Sequence, residues 1–135
     1  LLSYHGIPAV YVAEGDPYRF QAESTTRLLV ERLGLGAGEF SHCYQSRFGS
    51  VVWLQPYTED VLKSLAARGV RKLTIVSPSF AVDCLETLEE VAIEYRHKFL
   101  ELGGEQFGLV PALNDTDRHS ELLGAIIKTH LQGWI

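Results

Sequence analysis

The sequence contains no methionine and only two cysteines among its 135 residues. Cys43 and Cys84 lie 41 positions apart and form no CxxC pair. They fit neither a secreted disulfide framework nor a zinc site, so a reducing cytoplasm is the expected compartment. No apolar run approaches the roughly 18 residues a membrane span needs, which leaves membrane association undetermined. Basic residues are also scarce: 12 Lys and Arg face 17 Asp and Glu, for a net charge of −5. Such a balance makes a poor nucleic-acid binder, because neutralising phosphates needs a basic face. GxGxxG, GxxxxGK[ST] and GxSxG are all missing. Dinucleotide, P-loop and α/β-hydrolase readings therefore lose their main support.

What is present is ordinary for one globular domain: 46% hydrophobic and 21% charged residues, with no repeat and no linker. Leu1–Tyr4 reads as the end of a strand, so the chain is expected to be part of a longer protein. Asp16 and Pro17 start a helix that runs to Leu33, where Gly34 suits a left-handed end. Ser41–Ser46 is a second strand. Thr58 caps a helix that stops near Arg68, and Lys72–Val76 is a strand of branched residues. Asp83 caps a long α-helix ending at Gly103-Gly104, with Leu85, Leu88, Ala92, Tyr95 and Phe99 at helical spacing. Gln106–Val110 is a fourth strand. A last helix covers about Arg118 to Leu131, with Leu122, Leu123 and Ile126 on its inner side. This alternation predicts an α/β fold: a four-stranded parallel sheet with helices on both faces, a Rossmann-like unit.

Ligands of open parallel sheets bind beyond the carboxyl ends of the strands. Four segments must meet there: Ser3–Gly6, Gln45–Arg47, Ser77–Ser79 leading to Asp83–Glu86, and Pro111–Asp115. His5 stands at that edge, where a histidine is either a hydrogen-bonded loop residue or a chemical one. Asp83, Glu86, Glu90 and Glu94 recur at spacings of three, four and four, which lines four carboxylates along one helical face. Part of this row has a structural reading. Asp83 and Glu86 resemble a capping box, and Glu94 can pair with Lys98. Glu90 has no such partner. As a whole the row suits a path for a divalent cation, held loosely by hard carboxylate ligands. Cys84 is either a soft ligand within that path or a small buried residue. Arg47, Trp53 and Tyr57 suit a flat, apolar, negatively charged small molecule.

Several stretches together resemble ferrochelatase, the enzyme that inserts ferrous iron into a porphyrin. They are SYHGIP (Ser3–Pro8), GDPY (Gly15–Tyr18), QSRFG (Gln45–Gly49), WLQPYT (Trp53–Thr58), DCLETLEE (Asp83–Glu90) and PALND (Pro111–Asp115). The resemblance is to the C-terminal half of that family, so residues 1–135 are expected to form a C-terminal chelatase domain whose N-terminal half is absent. It implies a Rossmann-like half-fold, with the porphyrin cleft between two such halves. It implies that His5 is the active-site histidine, as proton acceptor or metal-delivering ligand, and that Glu86 is the active-site glutamate. Asp83 and Glu90 correspond to the acids that accompany it, giving His5, Glu86, Asp83 and Glu90 as expected metal ligands. Cys84 matches bacterial members. Fe²⁺ and protoporphyrin IX are the implied substrates, with no tightly bound cofactor and no iron–sulfur cluster expected. An imidazole, with an ordinary pKa of about 6.5, suits removal of pyrrole protons near neutral pH. Two other readings stand beside this one. One is a short homodimeric tetrapyrrole chelatase for another metal. The other is a non-catalytic metal- or tetrapyrrole-binding module. The expected partner is thus the missing half or a second copy, meeting the chain near His5 or the loop Arg47–Tyr57.

Overall fold

The computed structural model describes residues 1–134. β1 (Leu2–His5) pairs in parallel with β2 (His42–Gln45), and β3 (Lys72–Ile75) with β4 (Gln106–Leu109). Around them lie α1 (Ala9–Ala13), α2 (Tyr18–Leu33), α3 (Thr58–Ala67), α4 (Arg96–Glu101) and α5 (Asp117–His130). A π-helical segment, Glu86–Tyr95, runs directly into α4.

The expected α/β class and parallel strands are found, but not one continuous sheet. The strands form two pairs that meet through a single bridge, Leu2 to Val76. There Ser3 N donates to Val76 O at 2.9 Å and Val76 N donates to Leu1 O at 3.0 Å. The seam cannot lengthen, because Pro78 has no N–H. His5 N, the next donor along β1, goes to the Ser79 hydroxyl instead at 2.9 Å.

Alternation along the strands sends successive side chains to opposite faces. Leu2, Tyr4 and Tyr44 face α2 and pack with Ala22 and Leu54. Leu73 and Ile75 face the other way, against Leu62 and Leu65 of α3, Val91, Tyr95 and Phe99. Helices thus cover both faces. α2 ends as its sequence predicts, with Gly34 left-handed at φ 65°. Its start is shifted by one residue: Asp16 Oδ1 accepts from Tyr18 N at 2.8 Å, and Pro17 stands just outside the helix. α1 has no counterpart in the sequence reading, since a five-residue helix shows no period.

The helix expected after Asp83 is the main departure. It starts at Glu86, not at Asp83, and its first ten residues are π-helical, with i→i+5 hydrogen bonding. Its buried residues Thr87, Val91 and Tyr95 are each four apart, and Phe99 continues the series in α4. In a helix of 3.6 residues per turn that spacing drifts steadily around the axis. A wider turn drifts in the opposite sense, and the same spacing runs on into α4. Asp83 does not cap this helix. Its carboxylate accepts from Asn114 Nδ2 at 2.8 Å and lies 3.0 Å from the Thr87 hydroxyl, while Asp83 N donates to Asn114 Oδ1 at 2.8 Å. The pair clamps the loop after β3 to the loop after β4. Thr58 likewise opens α3 without capping it, because its hydroxyl is 2.8 Å from that of Ser3 inside the core.

α5 is fixed by its first turn, where His119 Nδ1 donates to Asn114 O at 2.6 Å. Leu122, Leu123 and Ile126, expected on an inner side, are 51%, 46% and 48% exposed. The apolar period identifies the face that calls for cover, but it does not say that this chain supplies the cover.

Two outcomes follow for stability. Phe99 is fully buried, and a Cβ on Gly104 would collide with the Phe99 ring and stand 2.7 Å from the Phe99 carbonyl oxygen. Phe99→Ala should cost about 3–5 kcal/mol and Gly104→Ala about 1–3 kcal/mol, read from denaturant midpoints. For Asp83, the Asn114 amide, then the Thr87 hydroxyl and the Ala112 N–H, hold the carboxyl below its ordinary value of 3.8. A depressed folded pKa stabilises above the unfolded value and is lost as pH falls through the folded one. Asp83→Asn should therefore lower the midpoint at pH 7, and the gap to the wild type should close as the pH drops below 3.8. A gap that stays constant down to the lowest pH would refute the clamp's charge dependence.

Candidate active site at the carboxyl ends of the strands

His5 is the last residue of β1, half-buried at the rim. Its Nδ1 lies 2.6 Å from Gly6 O. A carbonyl oxygen only accepts, so Nδ1 carries the hydrogen and the neutral ring presents its lone pair at Nε2. The ring stands between Trp53 and Phe80, at centroid distances of 6.4 and 5.9 Å. Tyr18 OH donates to His5 O at 2.7 Å, and Ser79 holds its N–H, so the backbone at this residue is fixed from two sides. Gly6 lets Trp53 approach: a Cβ there would lie 3.1 Å from the indole and 3.0 Å from Gln45 O.

Trp53 belongs to the loop Arg47–Tyr57, which is tied down at its far end. Ala9 N donates to Val52 O at 2.8 Å, Leu54 N to Ile7 O at 3.0 Å, and Tyr44 N to Pro56 O at 2.9 Å. Trp53 Nε1 donates to Phe48 O at 3.0 Å. Phe48 itself is 77% exposed, and the Arg47 guanidinium lies 4.3 Å from the centre of the Tyr57 ring. The three residues singled out for a flat ligand, Arg47, Trp53 and Tyr57, share one loop, but Trp53 is buried and Phe48 is the aromatic that this loop exposes.

Glu86 opens the π-helical segment at the same edge of the sheet as His5. The Cys84 side chain and its own backbone N–H, and His5 when its ring is protonated, hold its carboxyl below the ordinary value of 4.5. It is therefore ionised near neutral pH and within electrostatic reach of His5. The other acids of the row take separate partners. Asp83 is held by Asn114 and Thr87. Glu94 accepts from Lys98 Nζ at 2.9 Å, and Lys98 also donates to Glu59 at 2.6 Å. Glu90 turns inward, where Ser46 N (2.8 Å), Ser46 Oγ (2.6 Å), Tyr95 OH (2.6 Å) and Gln45 Nε2 (3.4 Å) all reach its carboxylate. Among the described residues no three His, Cys, Asp or Glu side chains are grouped so as to hold a metal ion. The structure brings His5 and Glu86 to one edge and places Asp83 and Glu90 in protein hydrogen bonds.

Two residues that the sequence places at this edge without a role, Gln45 and Ser46, complete it. Gln45 is fully buried; its Oε1 accepts from Ser3 Oγ at 2.7 Å and from Ser77 Oγ at 3.2 Å. Ser46 has φ 65°, a left-handed conformation that costs a non-glycine residue on the order of 1–3 kcal/mol. A cavity of about 360 Å³ lies between this turn and the π-helical segment, lined by Ser46, Arg47, Tyr57, Glu90, Glu94 and Tyr95. The polar residues QS at the end of a strand were the available signal; that both would serve Glu90 was not visible without its inward turn. No described helix is long and apolar enough to cross a membrane.

Comparison with known proteins gives this edge its context. Residues 1–131 match the ferrochelatase family. The chain is 48% identical over 134 residues to the ferrochelatase of Marinobacter nauticus, covering 99% of the chain and 36% of that protein. The same figures hold for the ferrochelatase of Nitrosococcus oceani. The ferrochelatase of Brucella ovis is 48% identical over 135 residues, covering 100% of the chain and 38% of that protein. The chain thus spans little more than a third of the length of these relatives. With nearly every one of its residues inside the match, and the edge segments among them, the chain belongs to the ferrochelatase family of haem biosynthesis.

Proposed function

We propose that this chain is the C-terminal part of a ferrochelatase and carries the residues that move protons and iron at the porphyrin centre. The observation that carries the reading is a histidine at the end of β1, its lone pair left at Nε2, with the carboxylate of Glu86 near enough for His5 to act on its charge. Metallation replaces two pyrrole protons by one divalent ion, so the ring loses two positive charges as protons and gains two as Fe²⁺. His5 Nε2 accepts a pyrrole proton. Glu86 attracts the ferrous ion, helps strip its water and takes up the second proton. Oxygen and imidazole donors bind Fe²⁺ without the permanence of thiolates, which suits an ion that must be handed on. Phe48 and Phe80 give the macrocycle apolar surface, with the buried Trp53 ring behind Phe48, and Arg47 offers a cation to its carboxylates. Asp83 and Glu90 support this site from positions already filled by protein donors. The rest of the cleft comes from the part of the full-length protein outside this chain.

The test is metallation of a soluble porphyrin by Fe²⁺ under anaerobic conditions, and by Zn²⁺, followed in the visible spectrum with the full-length protein. Glu86→Gln and His5→Asn should each lower kcat/KM by about 10²-fold or more with the fold intact. Insertion that proceeds equally well in Glu86→Gln would remove that residue from the chemistry. A full-length wild type that inserts neither metal would leave a binding module as the better account.

A further inference from the structure

Four protein donors converge on the carboxylate of Glu90, and they come from two elements that are far apart in sequence. Ser46 supplies its backbone N–H and its hydroxyl, Gln45 its amide, and Tyr95 its phenol. An ionised carboxylate has two oxygens and about four lone-pair directions. Here those directions are taken. An ion bound at Glu90 would have to displace donors that are themselves held in place. Tyr95 is buried in the apolar core, and Gln45 is pinned through Oε1 by Ser3 and Ser77. Gln45 has no freedom to flip, because a reversed amide would point its NH₂ at two hydroxyls and its oxygen at a carboxylate.

The placement of the bonds is specific. Glu90 and Tyr95 are five residues apart, the interval that i→i+5 hydrogen bonding brings together on successive turns. Ser46 is the first residue after β2, left-handed at φ 65°, and it directs the chain into the loop that carries Arg47 and Trp53. One carboxylate therefore holds two things at once: the wide helical turn that begins with Glu86, and the strained turn from which the loop departs.

From this we propose that Glu90 is a positioning residue, a latch between the π-helical segment and the Ser46 turn, and not a ligand of the transferred ion, with Gln45 fixing its orientation. Its catalytic consequence rests on the chelatase reading above; its structural consequence does not. Glu90→Gln puts an amide NH₂ against the Ser46 donors and loosens both elements. Tyr95→Phe keeps the core packing and removes a single donor.

The experiment uses the full-length protein and two readouts. In metal-free hydrogen exchange, Glu90→Gln should speed exchange at the Ser46 amide and across residues 86–95 by tenfold or more. Tyr95→Phe should give a smaller rise, about threefold, at the same amides. In Zn²⁺ insertion, Glu90→Gln should lower kcat about tenfold and leave the KM for Zn²⁺ within twofold. Unchanged exchange in both variants overturns the latch, whatever the activity. A raised KM for Zn²⁺ with unchanged exchange makes Glu90 an ion ligand instead. Faster exchange in both variants of a protein whose wild type inserts no metal keeps the latch and sinks the chelatase reading. If Glu90→Gln fails to fold, Tyr95→Phe alone decides: faster exchange confined to Ser46 and residues 86–95 supports the latch, and none refutes it.

Discussion

Gln45 is 2% exposed, and a buried primary amide must place every polar atom it owns. Its oxygen takes two serine hydroxyls, one from β1 and one from the residue after Val76. Its nitrogen is left with Glu90. Around it Ser3, Thr58 and Cys43 extend the same polar knot, with Thr58 Oγ1 3.2 Å from Cys43 Sγ. Burial pushes the Cys43 thiol up and keeps it neutral there. The knot joins β1, β2, the end of β3, α3 and the π-helical segment. An unpaired polar atom in such a place costs about 1–3 kcal/mol, so the elements around it share one register or lose several bonds together. The edge that carries His5 inherits its geometry from that requirement.

The same requirement explains why the carboxylates of one row have different work. Sequence spacing places Asp83, Glu86, Glu90 and Glu94 on one side of a helix, and residues on one side are easily read as one site. Partners decide otherwise. A carboxylate beside an amide becomes a clamp, one beside a lysine becomes a surface pair, and one beside several buried donors becomes an anchor. Glu86 is held chiefly by the Cys84 side chain and its own backbone N–H, with His5 near enough to act on its charge.

Much of this was legible in the sequence. The strand and helix order, the four segments at the carboxyl edge and the placement of His5 and Glu86 there follow from hydrophobic period, glycine ends and the geometry of parallel strands. The family was legible from short stretches such as SYHGIP and DCLETLEE. What escaped had physical causes. The π-helical turn has no separate mark in the sequence: the four-residue spacing of Thr87, Val91 and Tyr95 runs on to Phe99 in the α-helical α4 and suits either kind of turn. Asp83 and Thr58 look like helix caps, because the residue types that cap are also those that tie loops and cores together. The seam between strand pairs depends on Pro78 and on a serine hydroxyl replacing a backbone partner, neither of which marks a period. The open face of α5 records an amphipathic pattern that the described residues leave half exposed.

The one-rung seam sets a tolerance for the whole edge. His5 rides on the first strand pair and Glu86 follows the second, with Leu2–Val76 as the shared rung. A small shear of one pair along the other would translate the two groups past each other while leaving each pair's own ladder intact. Misplacement of reacting groups by about 1 Å can cost on the order of 10²-fold in rate. The Ser79 hydroxyl on His5 N and the Gln45 amide across to the π-helical segment act as struts against that slide. Alignment at this edge therefore depends on side chains as well as on the backbone bonds of the seam, and it can be altered by substitutions that leave both ladders intact.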